Sequence, residues 1–268
     1  MNDDIAYWRT RSLAAVTRRA RAIPWLREAG NGLSLAWLET GDGRASPAAG
    51  RAEQALALRV ALAALHDEGR APDPARCTLA HTRLGAPLVR VRGGPPALRP
   101  RVSLCHEGGA HVALAGCAPG LVGVGIDAVR LDRLRRRDAA HLRRLAERFL
   151  PPAGCEALER EARAGGPEAL LAGVAARFAL VEAASKALGT GLRLGLGLGA
   201  RGGLPPPEMG VVEWRGAVRL EPGAAARRRM AALGAARIGG HAGCDAEYAV
   251  GVVLLHGAPG ETARARRP

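Results

Sequence analysis

The order of predicted elements repeats once along the 268-residue chain, and this repetition limits the folds that are open to it. The first half begins with a strand at 33–39, where apolar and polar residues alternate. A helix at 47–68 follows, starting directly after Ser46. Short strands separated by Gly/Pro turns are predicted next, at 77–81, 88–91, 101–105 and 111–115.

The second half uses the same kinds of element after a join near residues 116–123. A strand at 121–129 opens it, and a long helix at 167–188 is its largest element. The other predicted elements are helices at 131–150 and 154–164 and strands at 210–214, 217–220 and 247–255.

This repetition predicts an α+β fold built as a pseudo-twofold pair of modules. Each module is expected to be a small, mainly antiparallel sheet packed on a long helix. The expected boundaries are 1–120 for the first module and 121–256 for the second, with a flexible, arginine-rich tail at 257–268.

The composition is that of a globular protein with an aliphatic core. Apolar residues make up 48% of the chain and aromatic residues 3%. No charge-free apolar stretch is long enough to span a bilayer, and the first residues lack the basic and apolar runs of a secretory signal. The five cysteines are scattered without metal-binding spacing, so we expect reduced thiols in a cytoplasmic protein that has no membrane partner.

A formal net charge of +14 indicates an anionic partner without identifying it. The arginines are spread over the whole chain and few aromatic side chains could stack on bases, which argues against a nucleic-acid binder. That alternative can be tested by gel shift, where binding confined to low salt and independent of sequence would be charge attraction alone. Polyanionic small molecules and acidic proteins are both compatible with this positive charge.

One basic residue differs from all the others. Of the 39 lysines and arginines, only Lys186 is a lysine, in a chain whose richness in Ala, Gly, Arg and Pro indicates a GC-biased genome. An ammonium is a compact point charge, whereas a guanidinium is a wide planar fork. We interpret Lys186 as a position that requires an ammonium; the alternative is that a single lysine remained by chance.

Two carboxylates accompany this lysine. Asp127 lies among Val, Ile and Gly on a predicted buried strand, where a carboxylate is costly unless it is paired or bound to a metal. Phe178, Glu182 and Lys186 follow one another at intervals of four residues and therefore share one helix face. The simpler alternatives are that Asp127 caps the next helix and that Glu182 forms an ordinary helix ion pair contributing about 0.2–0.5 kcal/mol.

These segments together resemble a known enzyme signature. A Gly-Ile-Asp strand at Gly125–Asp127, followed by a helix with the pattern F-x-x-x-E-x-x-x-K at Phe178–Lys186, is similar to the signature of 4'-phosphopantetheinyl transferases. The stretch Ser185–Gly191 resembles the small, holo-acyl-carrier-protein-synthase branch of that family. The doubled length of the chain instead resembles the Sfp-type branch, in which two such modules are fused into a pseudo-dimer.

The first half carries further motifs of the fused branch. The segment Val102–Ala115 is similar to the family's S-[IVL]-[ST]-H-[ST]-x-G motif, and Leu84–Pro87 is similar to its G-[KR]-P turn. Arg51 and Arg59 stand where the family places basic residues near coenzyme A. The resemblance therefore covers roughly residues 44–192.

The resemblance implies a Mg²⁺-assisted transfer of the 4'-phosphopantetheine arm from coenzyme A to a serine of an apo carrier protein. It implies that Asp127 and Glu182 hold Mg²⁺, a cation that prefers oxygen ligands, against the pyrophosphate. Glu182, directly or through a water, would also accept the serine proton. Lys186 would contact the transferred phosphate and the departing 3',5'-ADP. His106 would bind a phosphate oxygen. The alternative is that His106 has a structural role at the end of its strand, with its hydrogen bonds satisfied there.

Further coenzyme A contacts are implied for arginines, whose planar forks suit the 3'-phosphate and the pyrophosphate. The candidates are Arg44, Arg51, Arg59 and Arg83. The implied protein partner is an acyl or peptidyl carrier protein, which is usually acidic and so matches the basic chain. We expect the enzyme itself to be a monomer.

Four positions depart from the family pattern. Val181 replaces the lysine of the K-E pair, Val129 replaces an acidic residue of the Sfp-type strand, Ala86 replaces the basic residue of the turn, and Cys105 replaces a small hydroxyl residue. Each change removes a polar contact. The rival hypothesis is therefore a transferase-like protein that binds carrier proteins or coenzyme A thioesters without transferring the arm, or that performs another reaction on a carrier-bound chain.

Overall fold

The α+β class is confirmed by the computed structural model of the chain, which describes residues 33–39, 58, 76–82, 86–93, 100–118, 120–190, 208–214 and 218–258. The described strands are β1 (Leu33–Glu39), β2 (Cys77–His81), β3 (Pro87–Val91), β4 (Arg101–Glu107), β5 (Ala110–Gly116), β6 (Leu121–Arg130), β7 (Met209–Glu213), β8 (Arg219–Pro222), β9 (Ala235–Cys244) and β10 (Tyr248–Gly257). The described helices are α1 (Leu131–Arg135), α2 (Ala139–Glu147), α3 (Pro152–Ala187) and α4 (Ala224–Ala232).

The strands form three sheets with antiparallel pairing. The largest has the order β1-β5-β4-β3-β2 and uses strands from the first half of the chain. The second has the order β6-β10-β9 and belongs to the second half, and β7 pairs with β8 in a separate hairpin. The strands predicted from sequence are thus confirmed, with their ends shifted by one or two residues.

An apolar core fills the space between the five-stranded and the three-stranded sheet. Alternate residues of β5 and β6 meet there, among them Val112, Leu114 and Ile126, which are 1%, 0% and 0% exposed. The rings of Trp37 on β1 and Tyr248 on β10 pack edge to face across this core, 5.3 Å apart. Burial of these side chains therefore joins the two halves of the chain.

Helix α3 covers the other face of the three-stranded sheet at unusually close range. A Cβ atom on Gly125 would collide with the backbone carbonyl of Ala183, and one on Gly123 with that of Ala187. On the neighbouring strand β10, a Cβ on Gly251 would lie 2.6 Å from the helix backbone. Glycine at these strand positions lets the backbone of the helix rest almost directly on the sheet.

The helix predicted at 47–68 lies outside the described residues except for Leu58. This residue is helical, and its side chain packs against Val89, Val102 and Ala113 on the outer face of the five-stranded sheet. The predicted tail lies outside the described part of the chain from residue 259 onward. The division into two modules remains a prediction.

Helix α3 bends at Gly166, whose φ of 71° is left-handed and is followed by Pro167. The two helices predicted at 154–164 and 167–188 are therefore the two arms of this bent helix. Arg177 in the second arm is fully buried, and its Nη2 donates to Oε1 of Glu161 in the first arm at 2.6 Å. Trp214 donates its Nε1–H to the same carboxylate at 2.8 Å, so one buried ionic network holds both arms.

By length and composition, α3 could cross a membrane, with a mean hydropathy of 1.3 over its most apolar 18 residues. Of that window, 61% is buried inside the structure, against the sheet and the surrounding helices. Its apolar composition is therefore accounted for by its place in the core.

One prediction of secondary structure in the second half was wrong, and two elements were missed. The single helix expected at 131–150 is divided into α1 and α2, because the Asp138 side chain accepts the backbone N–H of His141 and starts a new helix. Helix α4 and strand β9 were not predicted. All five cysteines are free, in agreement with the expected reduced thiols.

Candidate active site

Asp127 faces helix α3 because of the two-residue alternation of strand β6. Val124, Ile126 and Ala128 point into the core between the sheets. The intervening positions, which include Gly125 and Asp127, point toward α3. Asp127 is 8% exposed, so its carboxylate needs compensating partners.

The partner of Asp127 is the lone lysine of the chain. Lys186 lies in the last turn of α3, and its Nζ donates to Oδ1 of Asp127 at 2.7 Å and to the backbone carbonyl of Ile126 at 3.1 Å. Burial would lower the pKa of Lys186, but the attraction of Asp127, assisted by Glu182, outweighs it and raises that pKa. Lys186 is therefore a fixed ammonium that touches both a carboxylate and a strand backbone.

Glu182 is the third member of this group. It lies one helical turn before Lys186 on the same face of α3 and is half-buried. Burial and repulsion from the Asp127 carboxylate raise the pKa of Glu182 from 4.5 to about 7, against the attraction of Lys186. Two carboxylates thus share one ammonium, and one negative charge is left without full compensation.

This donor set fits Mg²⁺. In the described part of the chain, no three His, Cys, Asp or Glu side chains cluster as a complete metal site. Mg²⁺ needs no such cage, because it usually keeps waters and binds one or two carboxylates together with substrate phosphates. Asp127 and Glu182 supply those carboxylates, and burial together with repulsion from Asp127 raises the pKa of Glu182. A divalent cation between the two carboxylates would offset that repulsion.

Two residues of strand β4 that were not predicted to have this role also touch the site. The Oγ of Ser103 accepts the backbone N–H of Ile126 at 3.1 Å, and the Sγ of Cys105 accepts that of Ala128 at 3.2 Å. These amides flank Asp127. Burial and the Asp127 carboxylate raise the pKa of the Cys105 thiol, so the thiol stays protonated.

The remaining predicted contacts are only partly described. His106 is exposed at the end of β4, next along the chain to Cys105, and its ring centre lies 6.5 Å from that of His111. The four predicted arginines, Arg44, Arg51, Arg59 and Arg83, lie outside the described residues.

The other departures from the signature are apolar residues. Val181 on α3 and Val129 on β6 are 1% and 9% exposed, and both belong to the core that this helix forms with the three-stranded sheet. Ala86 lies in a turn that is closed by its backbone N–H donating to Oγ1 of Thr82 at 3.1 Å. The ammonium at the site is Lys186, and Val181 contributes to stability through its burial.

Comparison with known proteins identifies what this chain resembles. A family profile described as "4'-phosphopantetheinyl transferase superfamily" matches residues 123–202, which include all three charged residues of the cluster. A holo-[acyl-carrier-protein] synthase of Halorhodospira halophila is 39% identical over 136 residues, which are 50% of this chain and 97% of the relative. One of Nitratidesulfovibrio vulgaris is 39% identical over 118 residues, which are 44% of this chain and 83% of the relative.

A solved structure shows a similar match over half of the chain. The holo-(acyl-carrier-protein) synthase from Bacillus anthracis, in complex with CoA (3',5'-ADP), is 25% identical with a TM-score of 0.37. The match covers 52% of this chain and 98% of that protein.

Proposed function

Because the chain belongs to the 4'-phosphopantetheinyl transferase superfamily, we propose that it transfers the 4'-phosphopantetheine arm of coenzyme A to a serine of an apo carrier protein. The observation that carries this proposal is the convergence of Asp127, Glu182 and Lys186. Asp127 comes from a strand and the other two from a helix that follows much later, yet all three interact electrostatically. With a divalent cation held by the two carboxylates, and with the ammonium free of charge repulsion toward phosphate, such a group suits a diphosphate substrate.

The chain's own residues have separate tasks in this reaction. The Oγ of the carrier serine attacks the phosphorus that bears the pantetheine arm, the P–O bond to the other phosphate breaks, and 3',5'-ADP leaves. Glu182, directly or through a water, accepts the serine proton. The Lys186 ammonium contacts the phosphate that is transferred and offsets the charge on the departing 3',5'-ADP.

Asp127 and Glu182 would hold the Mg²⁺. When bound, Mg²⁺ supplies a hard positive centre that grips the pyrophosphate and offsets the charge of the transition state. His106 and the four arginines Arg44, Arg51, Arg59 and Arg83 are proposed to bind the phosphates of coenzyme A. We further propose that the protein is a monomer and that it acts in the cytoplasm, where its cysteines would remain reduced.

The direct test is an incubation of the protein with coenzyme A, Mg²⁺ and an apo acyl carrier protein. A gain of one phosphopantetheine arm by the carrier, observed by mass spectrometry, is expected. An unchanged carrier over a panel of acyl and peptidyl carriers would instead support the rival, in which the fold binds carriers or thioesters without transfer.

Lys186→Arg tests whether the site requires an ammonium. The planar guanidinium cannot place one nitrogen within reach of both Oδ1 of Asp127 and the carbonyl of Ile126 as Nζ does, so the charges at the site shift. Misplacement of about 1 Å can cost up to about 10²-fold in rate, and we expect kcat to fall by that order. Arg163→Lys, at an exposed position of the same helix, is the control and should leave kcat unchanged. Wild-type rates from Lys186→Arg would contradict the assignment.

The carrier is proposed to dock on the basic surface formed by α1 and α2. Helix α1 follows β6 directly, and both α1 and α2 pack against α3, the helix that carries Glu182 and Lys186. The exposed arginines of this surface include Arg136 and Arg137 in the connection between the two helices and Arg144 on α2. An acidic partner would meet complementary charge there, which accelerates association and fixes orientation.

Reversal of two of these charges tests the docking surface. Arg136→Glu combined with Arg137→Glu should raise the KM for the carrier about tenfold and leave the KM for coenzyme A unchanged. Arg227→Glu combined with Arg228→Glu on α4 changes the net charge equally and serves as the control. Equal effects of both double variants would show that net charge, and not a local surface, attracts the carrier.

A further inference from the structure

We propose that Ser103 and Cys105 are positioning residues that hold the Asp127 segment of β6 in place through its backbone. The expected effect on catalysis rests on the proposed function. The hydrogen bonds from β4 to β6 can be tested without an activity assay. It also assigns a role to Cys105, which departs from the family pattern.

The backbone of β6 has two edges, and the strands in the described part of the chain pair with it along one of them. Strand β10 pairs along the first edge, with Gly251 opposite Asp127. Alternate amides of a strand point to opposite edges, so those of Ile126 and Ala128 point away from β10. Buried backbone groups left without partners would destabilise this segment.

The second edge is completed by side chains. Ser103 and Cys105 lie two residues apart on β4 and therefore point the same way, toward β6. Their Oγ and Sγ accept the N–H groups of Ile126 and Ala128 at 3.1 and 3.2 Å. The spacing of the acceptors on β4 thus matches the spacing of the donors on β6.

The carbonyl groups of this edge are also occupied. Lys186 donates to the carbonyl of Ile126 at 3.1 Å, and the sulfur of Cys105 lies 3.9 Å from the carbonyl oxygen of Ala128. Side chains from β4 and α3 therefore hold the residues before and after Asp127. The backbone on both sides of Asp127 is thus held, which directs the Cα–Cβ bond of Asp127 toward Lys186.

Cysteine can perform this task because its sulfur is larger than a hydroxyl oxygen and still accepts a hydrogen bond. Cys105 is 6% exposed, and its side chain packs in the apolar core between the two sheets. The replacement of a small hydroxyl residue by cysteine thus keeps an acceptor for Ala128 while adding apolar surface to that core.

Amide hydrogen exchange tests the geometry. In Ser103→Ala the amide of Ile126 should exchange at least about tenfold faster, and in Cys105→Ala that of Ala128 should do so. The amide of Asp127, which points toward β10, should change by less than about threefold in both variants. Uniform acceleration over all β6 amides, or none, would overturn the proposal.

Mg²⁺ affinity tests the consequence for the site. Calorimetric titration of Mg²⁺ in the presence of coenzyme A should show a loss of about 10–100-fold in both variants, as expected for residues that orient a ligand. Cys105→Ser retains an acceptor and should recover most of the affinity. Cys77→Ala is a matched control, because Cys77 is 7% exposed and lies on β2, away from the site.

The outcomes separate this inference from the proposed function. Mg²⁺ affinity and kcat within about twofold of wild type in Ser103→Ala and Cys105→Ala would show that the two side chains are structural only. A wild-type protein that neither binds Mg²⁺ with coenzyme A nor modifies a carrier would refute the proposed function. The exchange rates of Ile126 and Ala128 would then still decide whether β4 holds β6.

Discussion

Glu182→Gln is expected to lower kcat for arm transfer by about 10²–10⁴-fold while leaving the fold intact. The amide is nearly the same size as the carboxylate but cannot accept the serine proton and is a weaker ligand for Mg²⁺. The side chain is half-buried beside Asp127, so no other carboxylate of α3 can replace it at that position. Product formation measured by mass spectrometry at saturating coenzyme A gives the comparison with wild type.

The same substitution should make the protein more stable at alkaline pH. The pKa of Glu182 is raised from 4.5 to about 7 in the folded protein, so the carboxyl group favours folding at low pH. That contribution is lost as the pH rises through about 7, where the folded protein must carry the ionised form. Glutamine carries no charge, so without Mg²⁺ the free energy of unfolding of the variant should exceed that of wild type above pH 7, by at most about 3 kcal/mol.

Denaturant unfolding with and without Mg²⁺ measures both effects. Mg²⁺ should stabilise the wild type and have little effect on Glu182→Gln. Glu168→Gln is the control, because this side chain is 77% exposed on the same helix. Retained transfer activity in Glu182→Gln, or equal stabilisation of both proteins by Mg²⁺, would remove Glu182 from the metal site.

Among glycine-to-alanine substitutions in the three-stranded sheet, Gly125→Ala is expected to destabilise the fold most. The added Cβ would collide with the carbonyl of Ala183 and lie 2.8 Å from the backbone nitrogen of Ala187. Both are backbone atoms inside a helix and cannot rotate away, so the helix and the strand must separate. We expect a loss of about 3 kcal/mol or more in the free energy of unfolding and a decrease in Tm of roughly 6–12 °C.

This separation should also affect the site, since it moves Asp127 away from Lys186. The variant should therefore lose transfer activity even at temperatures where it remains folded. Gly239→Ala is the control, because no atom of the described chain lies within 4 Å of a Cβ built on that residue of β9. A Tm of Gly125→Ala within about 2 °C of the control would contradict the close packing of α3 on β6.

The charged cluster could be predicted from sequence because each member carries a local signal. Asp127 interrupts an apolar strand, Lys186 is the lone lysine, and Glu182 shares its helix face. The two-residue alternation of side chains in a strand and the four-residue spacing along a helix face are properties of short segments, so they can be recognised without knowledge of the fold. The structure brings Asp127 and Lys186 together at 2.7 Å, a direct contact that the sequence did not predict, and the roles implied for the cluster stay predictions.

Other features depend on which segments meet in space. The glycines of β6 carry a visible period of two, but their purpose becomes clear only when α3 is placed against them. Ser103 and Cys105 act on backbone atoms far along the chain, and the sequence contains no sign of that contact. The break between α1 and α2 is different, because the cap at Asp138 is a local signal that the prediction of one continuous helix overlooked.

The completion of β6 by residues of β4 has a consequence for how the site behaves on dilution. The two strands belong to one polypeptide and are joined by a short connection from β4 through β5 to β6. The effective concentration of β4 relative to β6 is therefore set by the length of that connection and not by the concentration of the protein in solution. The hydrogen bonds of Ser103 and Cys105 to β6 are accordingly expected to form to the same extent at any protein concentration.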